Sequence, residues 1–286
     1  MNWLILTLLA VLSRSVYSLA TKVLSENVKV SPISQSVLQS VFSGLLAIPF
    51  ALAINQFSFA NILSSWQPLL LIMIVVAFGN ILYYQGIKWL DAGTTQVAFS
   101  SILIWGTILS IFYLSSRFSL IQFVGIGLML VAILMIQYQK KLVINKGVWL
   151  VIASAGLFAV FQVFSAKIAS SVSTGAYLTL TYFGSSLVLA AIYPKILIKE
   201  LILVSKQLRS AFKATLFASS TSLLYFIFAY FAYQVAPDRG IVVILLTAQV
   251  VVSVLFGIVF LKERQNMPKK LLAGVLAFIA SILIKS

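Results

Sequence analysis

From Gly240 to Phe260 the chain runs for 21 residues without a charged side chain. Wound as an α-helix, such a run is about 30 Å long, the thickness of a bilayer's hydrocarbon core. A polar hinge, Pro237-Asp238-Arg239-Gly240, opens it and Lys262-Glu263-Arg264 closes it, so it predicts a membrane-spanning helix with a marked entrance and exit. The same stretch occurs earlier. Tyr83, Asp91, Gly93, Leu114 and Arg117 match Tyr230, Asp238, Gly240, Leu261 and Arg264 at one gapless offset of 147, and Ser100 matches Thr247 in kind. The chain is therefore expected to be a duplication.

Other apolar runs follow the same plan. They lie at about 1–22, 33–54, 66–87, 94–114 and 118–137, and then at 147–169, 174–193, 213–235, 240–261 and 269–284. The polar midpoint Gln139-Lys140-Lys141 and Asn145-Lys146 separates two repeats, 1–142 and 143–286. Met1 to about Lys22 is read as a mature helix, not a cleaved signal. No Lys or Arg precedes its apolar core, and Arg14 lies within it. Only 9% of residues are charged, against about 25% in soluble domains, so the fold class expected is an all-α integral membrane protein of ten transmembrane helices. Five helices per repeat, an odd number, places the halves in opposite orientations, as inverted repeats. Between 194 and 213, apolar residues at helical spacing with lysines among them predict an amphipathic helix on the membrane surface.

Several functions are set aside by residues the chain lacks. It has no Cys and no His, which removes thiolate and imidazole chemistry and the usual zinc and haem ligand sets. Its five acids, Glu26, Asp91, Glu200, Asp238 and Glu263, all sit at or near helix ends. An enzyme is not expected, nor a metal or other cofactor. The net charge of +15 is spread between apolar runs, which reads as membrane topology and not as nucleic-acid binding. Four basic residues (Arg117, Lys167, Arg239 and Lys285) fall on the side of the termini and fifteen on the other, which predicts termini outside the cytoplasm of a multi-pass protein of the cell membrane.

Arg14 is the sharpest single signal. A guanidinium near the bilayer centre costs about 2.5–3.5 kcal/mol on insertion scales, and the Leu, Ile and Val residues between Leu4 and Leu19 return about 4 kcal/mol, so the helix still inserts. Thr7, Arg14, Tyr17, Ser18 and Thr21 share one helical face, expected to face the bundle interior. Arg14 then either meets a carboxylate or phosphate of a substrate or caps backbone carbonyls of a neighbouring helix. The other candidate cavity residues are polar side chains inside spans: Gln39, Asn80, Tyr83, Gln96, Ser100, Gln162, Tyr182, Tyr230 and Gln249. Lys22 and Lys167 read as snorkelling to the interface, and Asp91 and Asp238 as N-caps of the fourth helices, with Gly93 and Gly240 admitting a tight turn. Trp66, Trp89, Trp105 and Trp149 suit an interfacial belt.

These features resemble the EamA-type permeases of the drug/metabolite transporter superfamily. The first helices carry Arg14–Tyr17–Lys22 and Ala159–Gln162–Lys167. The third helices end as YYQGIKWLDAG (83–93) and YFAYQVAPDRG (230–240), and the fourth as Leu114-Ser115-Ser116-Arg117 and Leu261-Lys262-Glu263-Arg264. Gly125 and Gly274 sit early in the last helices. The resemblance implies two five-helix repeats and a permease moving a small polar or amphipathic, amino-acid-like metabolite by alternating access, with export the default. Import, exchange or a non-transporting scaffold remain open. Arg14 stands where relatives have Trp, and Gln39 where they have Arg, so the resemblance does not carry the substrate over. The partners expected are a small-molecule substrate and the lipid bilayer, with the chain a monomer or homodimer.

Overall fold

A computed structural model of the chain describes residues 2–27, 30–60, 62–90, 95, 98–137, 146–260 and 267–285. Among them the chain is helical and has no strand. In the first half the helices are α1 (Trp3–Asn27), α2 (Pro32–Ala53), α3 (Trp66–Gly86), α4 (Ile102–Leu114) and α5 (Leu120–Gln137). In the second they are α6 (Lys146–Ile168), α7 (Thr174–Ile192), α8 (Pro194–Val235), α9 (Arg239–Leu245), α10 (Gln249–Phe260) and α11 (Met267–Lys285). Six helical segments are long and apolar enough to cross a membrane, and four shorter apolar ones accompany them.

The distribution of side chains is that of a membrane protein. Large apolar residues point outward, with Leu63 87%, Leu120 80% and Phe112 76% exposed, while Ser15, Ser43, Ser154 and Thr181 are fully buried. In lipid this arrangement is favourable, because hydroxyls need partners and leucines do not. Ser154 Oγ, for instance, donates to the Gly79 carbonyl at 2.8 Å, joining α6 to α3. Trp66, Trp89, Trp105 and Trp149 are all exposed.

Packing partners are exchanged between the halves. α1 packs on α8 and its counterpart α6 on α3; α2 packs on α8 and α7 on α3; α4 meets α6 and α10 meets α1. The pairs α2–α7, α4–α9 and α5–α11 bring counterparts together directly. The connecting segments also sort into two faces. On the face of the termini, the loop after α2 meets the start of α7 through Gly175 N donating to Gln56 O (2.8 Å) and Thr174 Oγ1 to Gln56 Oε1 (2.6 Å). On the opposite face Glu200 Oε2 accepts from the Ser31 backbone N–H (3.0 Å) and hydroxyl (2.8 Å).

Two expectations are corrected. The stretch 194–235 was expected as a surface helix followed by a span, but it is one continuous helix: Pro194 occupies its first turn and no other Pro or Gly interrupts it. Conversely, the uncharged run after Gly240 is not α-helical throughout: it tightens at a 3₁₀ turn, Leu246–Ala248, where Thr247 Oγ1 donates back to Ile244 O at 2.6 Å. The first half tightens at the corresponding place: residues 100–101 form a turn, and Ser101 Oγ donates to Ala98 O at 2.8 Å.

Candidate functional site

Beside the 3₁₀ turn Leu246–Ala248 lies a cleft between the two halves of the chain. It is lined by Arg14, Tyr17, Ser18 and Thr21 of α1, Tyr83 of α3, Phe99 just before α4, and Gln249 and Ser253 of α10. These residues step from mid-span toward the face where α1 ends. The turn shapes the site: the Gln249 carbonyl accepts a hydrogen bond from Ser15 Oγ (3.2 Å), which fixes α10 to α1 one residue from Arg14. A 3₁₀ turn inside an α-helix often marks a functional hinge, and interrupted helices are where transporters build sites. The empty space is about 310 Å³ including its open side, of which about 20 Å³ takes the centre of a water molecule. That is room for one or two waters.

Arg14 sits half-buried in this cleft, and four aromatic rings surround its guanidinium. The carbon Cζ is 4.7 Å from the centre of the Tyr17 ring, 5.1 Å from Tyr225, 5.2 Å from Phe158 and 5.9 Å from Phe99. Ring faces attract a cation electrostatically, and more so where water is scarce. They leave the N–H donors free, however, and among the described residues no carboxylate or carbonyl accepts from Arg14. Carbonyl capping, one of the two readings of this residue, is therefore absent among the described residues. The rings are themselves held. Gln39 Nε2 donates to the Tyr17 hydroxyl at 2.7 Å while its Oε1 accepts from Tyr84, and Gln162 Nε2 donates to the Tyr225 hydroxyl at 3.0 Å. Gln249 Oε1 and Thr21 Oγ1 are buried without a partner among the described residues.

The predicted site residues thus separate. Arg14, Tyr17, Tyr83 and Gln249 line the cleft, and Gln39 and Gln162 buttress it from behind. Ser100 is buried at the turn before α4, and Asn80 is half-buried on α3 away from the cleft lining. Tyr182 and Tyr230 are elsewhere. Tyr182 shares a hydrogen bond with Ser222 (3.1 Å) and stacks on Phe226 (4.8 Å); Tyr230 stacks on Tyr177 (3.9 Å) and donates to Val172 O (2.8 Å), capping the turn after α6. Gln96, Asp91, Gly93, Glu263 and the Lys22 side chain lie outside the described residues. The rings of Phe99, Phe158 and Tyr225 were not foreseen, since nothing local in the sequence connects them to Arg14.

Asp238 is the N-cap expected of it: its Oδ1 accepts from Gly240 N (2.8 Å) and also from Ser116 Oγ (2.7 Å), joining the start of α9 to the end of α4. Gly240 serves a different purpose from the one expected. No described glycine has positive φ; a Cβ at Gly240 would come within 2.9 Å of Ser116 Cβ and 3.1 Å of Ser110 Cβ. Close helix approach, not turn conformation, demands it. Lys167 is exposed, with its ammonium 5.9 Å from the Phe164 ring centre and 6.0 Å from that of Tyr113, as a snorkelling residue would be.

Known proteins extend this picture. No curated protein matches the chain. A solved crystal structure, described only as that of a protein, superposes with a TM-score of 0.74 at 14% identity, covering 98% of this chain and 94% of that one. The shared fold therefore runs through both halves. Residues 1–138 match the EamA-like transporter family. The first half of the chain thus matches the EamA-like transporter family, and with its six long apolar helices the chain is a multi-pass membrane protein.

Proposed function

We propose that the chain is a ten-span exporter of a small, amino-acid-like metabolite, built from two inverted repeats (1–142 and 143–286) and working by alternating access. The exchanged packing partners support the inverted repeat: a two-fold axis between the halves converts the contacts α1–α8, α2–α8 and α4–α6 into α6–α3, α7–α3 and α10–α1. The six long spans and four shorter apolar helices together give ten crossings, with α9 and α10 sharing one and α8 entering near Phe212.

One observation carries the substrate class. Arg14 presents N–H donors unpaired among the described residues to a cleft at the seam between the halves, and a carboxylate satisfies a guanidinium better than any neutral acceptor does. The surrounding rings suit the apolar part of an amphipathic molecule. In this conformation the cleft is too narrow for such a molecule, so binding requires the halves to part. Hydrogen bonds between the repeats on the termini face, at Gln56–Thr174 and Ser116–Asp238, would have to exchange with others as the site changes sides. No carboxylate among the described residues lines the cleft, so transport would not run through a central acidic residue.

The experiment is a panel of amino acids, other carboxylates, phosphates and amines, read by ligand-induced thermal stabilisation of the purified protein. The reading requires that the stabilising ligands share an anionic group and lose their effect in Arg14→Ala. Stabilisation only by cations without an anionic group would refute it. Export is the default that the family resemblance implies; the charge asymmetry bears on orientation, for which Lys141→Cys should resist an impermeant thiol reagent in intact cells.

A further inference from the structure

The N-terminal part of α8, up to Lys213 at the start of its span, has two unlike sides. One is fixed to the bundle: Ile196 and Leu197 pack on the cluster of Ile33, Ala77, Ile81 and Leu189, and Glu200 accepts both Ser31 hydrogen bonds. The other is free. Lys195, Lys199, Lys206 and Lys213 are all exposed. At 100° per residue they fall within about 40° of one another, and Glu200 lies about 140° away from Lys195. The sole acid between Pro194 and Lys213 is thus turned inward, leaving the lysine side without a counter-charge of its own.

Geometry keeps this segment near the membrane boundary. Its helix continues without interruption into the apolar span from Phe212 to Val235. Its contacts with α2 include Glu200–Ser31 and Ser219, whose carbonyl accepts from Ser43 Oγ. Between those points α8 advances about 28 Å while α2 advances about 18 Å, so the segment leans across the end of the bundle and does not stand straight out of it. Ile198 and Ile202, 72% and 66% exposed, flank the lysines on the same side. A row of ammonium groups about 27 Å long, edged by exposed isoleucines, is too extended for one soluble anion and matches a headgroup layer over acyl chains.

We propose that the Lys195–Lys199–Lys206–Lys213 face of α8 is a docking surface for anionic phospholipid headgroups. Each lysine near such a surface strengthens the attachment about fivefold, and salt weakens it. Because the chain has no cysteine, Ser205→Cys gives a unique thiol on this segment for a polarity-sensitive fluorophore. The full chain is then placed in nanodiscs of phosphatidylcholine, with or without phosphatidylglycerol. With phosphatidylglycerol the emission should shift blue and quenching by neutral acrylamide should fall at least fivefold. High salt should reverse both, and replacing the four lysines by Gln should remove the lipid dependence. Equal acrylamide access in the two lipids overturns the proposal, as does a phosphatidylglycerol effect that survives either high salt or the four Gln substitutions.

Discussion

α1 opens the first half of the chain and α6 the second, and at mid-span they differ. α1 carries Arg14, half-buried and open to the cleft. α6 carries Ala159 in the matching place, fully buried in the core. Its neighbours have become supports for the charge on α1: Phe158 supplies one of the four rings, and Gln162, the counterpart of Tyr17, holds Tyr225 in place beneath the guanidinium. The two halves offer corresponding positions, but a charge in lipid is expensive enough that one is filled and the other packed shut. The candidate site is therefore asymmetric inside a frame that is nearly symmetric.

The largest effect should come from erasing that asymmetry. Ala159→Arg puts a guanidinium into closed packing, where a buried charge without a partner destabilises by several kcal/mol. Monodisperse protein after detergent extraction should largely disappear. If instead the double change Arg14→Ala with Ala159→Arg folds and transports, the two positions are interchangeable and the comparison fails. Gln162→Leu comes next. It leaves the Tyr225 hydroxyl buried and unpaired, at about 1–3 kcal/mol. The melting temperature should fall, and the affinity of any Arg14-dependent ligand should weaken as the ring loses its support. Tyr17→Phe keeps the ring and deletes only an acceptor of Gln39, so its effect should be about 1 kcal/mol and confined to stability.

The smallest effect lies away from the site, at Glu200. Partial burial acts to raise its pKa, but hydrogen bonds from Ser34 and Ser31 and the Lys88 charge outweigh this and hold it below the ordinary value. A carboxyl depressed in the folded state stabilises above the ordinary carboxylate range, and that contribution is lost as pH falls through its folded pKa. Wild type should melt slightly above Glu200→Gln at neutral pH, and the gap should close on acidification. A gap unchanged by acid would show that the Ser31 contact does not depend on charge.

Much of the frame could be read from residue order, because lipid imposes simple rules. Each apolar run produced a helix, Asp238 caps as its position before Gly240 implied, and the face from Thr7 to Thr21 turned inward as the cost of exposing it to lipid demands. What was hidden depended on distant partners. The rings around Arg14 come from positions 99, 158 and 225, and Tyr230 was lost to the site because the Val172 carbonyl lies within its reach. The turn after Leu245 had a faint signal, Thr247-Ala248-Gln249 amid branched apolar residues, but no Pro or Gly to mark it. The unbroken α8 was legible in the opposite sense, in its lack of any breaker after Pro194.

The central claim is that Arg14 receives the anionic group of a transported molecule. Solute counterflow in proteoliposomes tests it directly, using the best stabilising ligand for wild type, Arg14→Ala and Arg14→Lys at equal folded protein. The account predicts that Arg14→Ala weakens uptake about 10- to 100-fold, the range for a lost charged hydrogen bond, and that Arg14→Lys recovers little because a single ammonium cannot reproduce the bidentate fork. Counterflow by Arg14→Ala at the wild-type rate would contradict it.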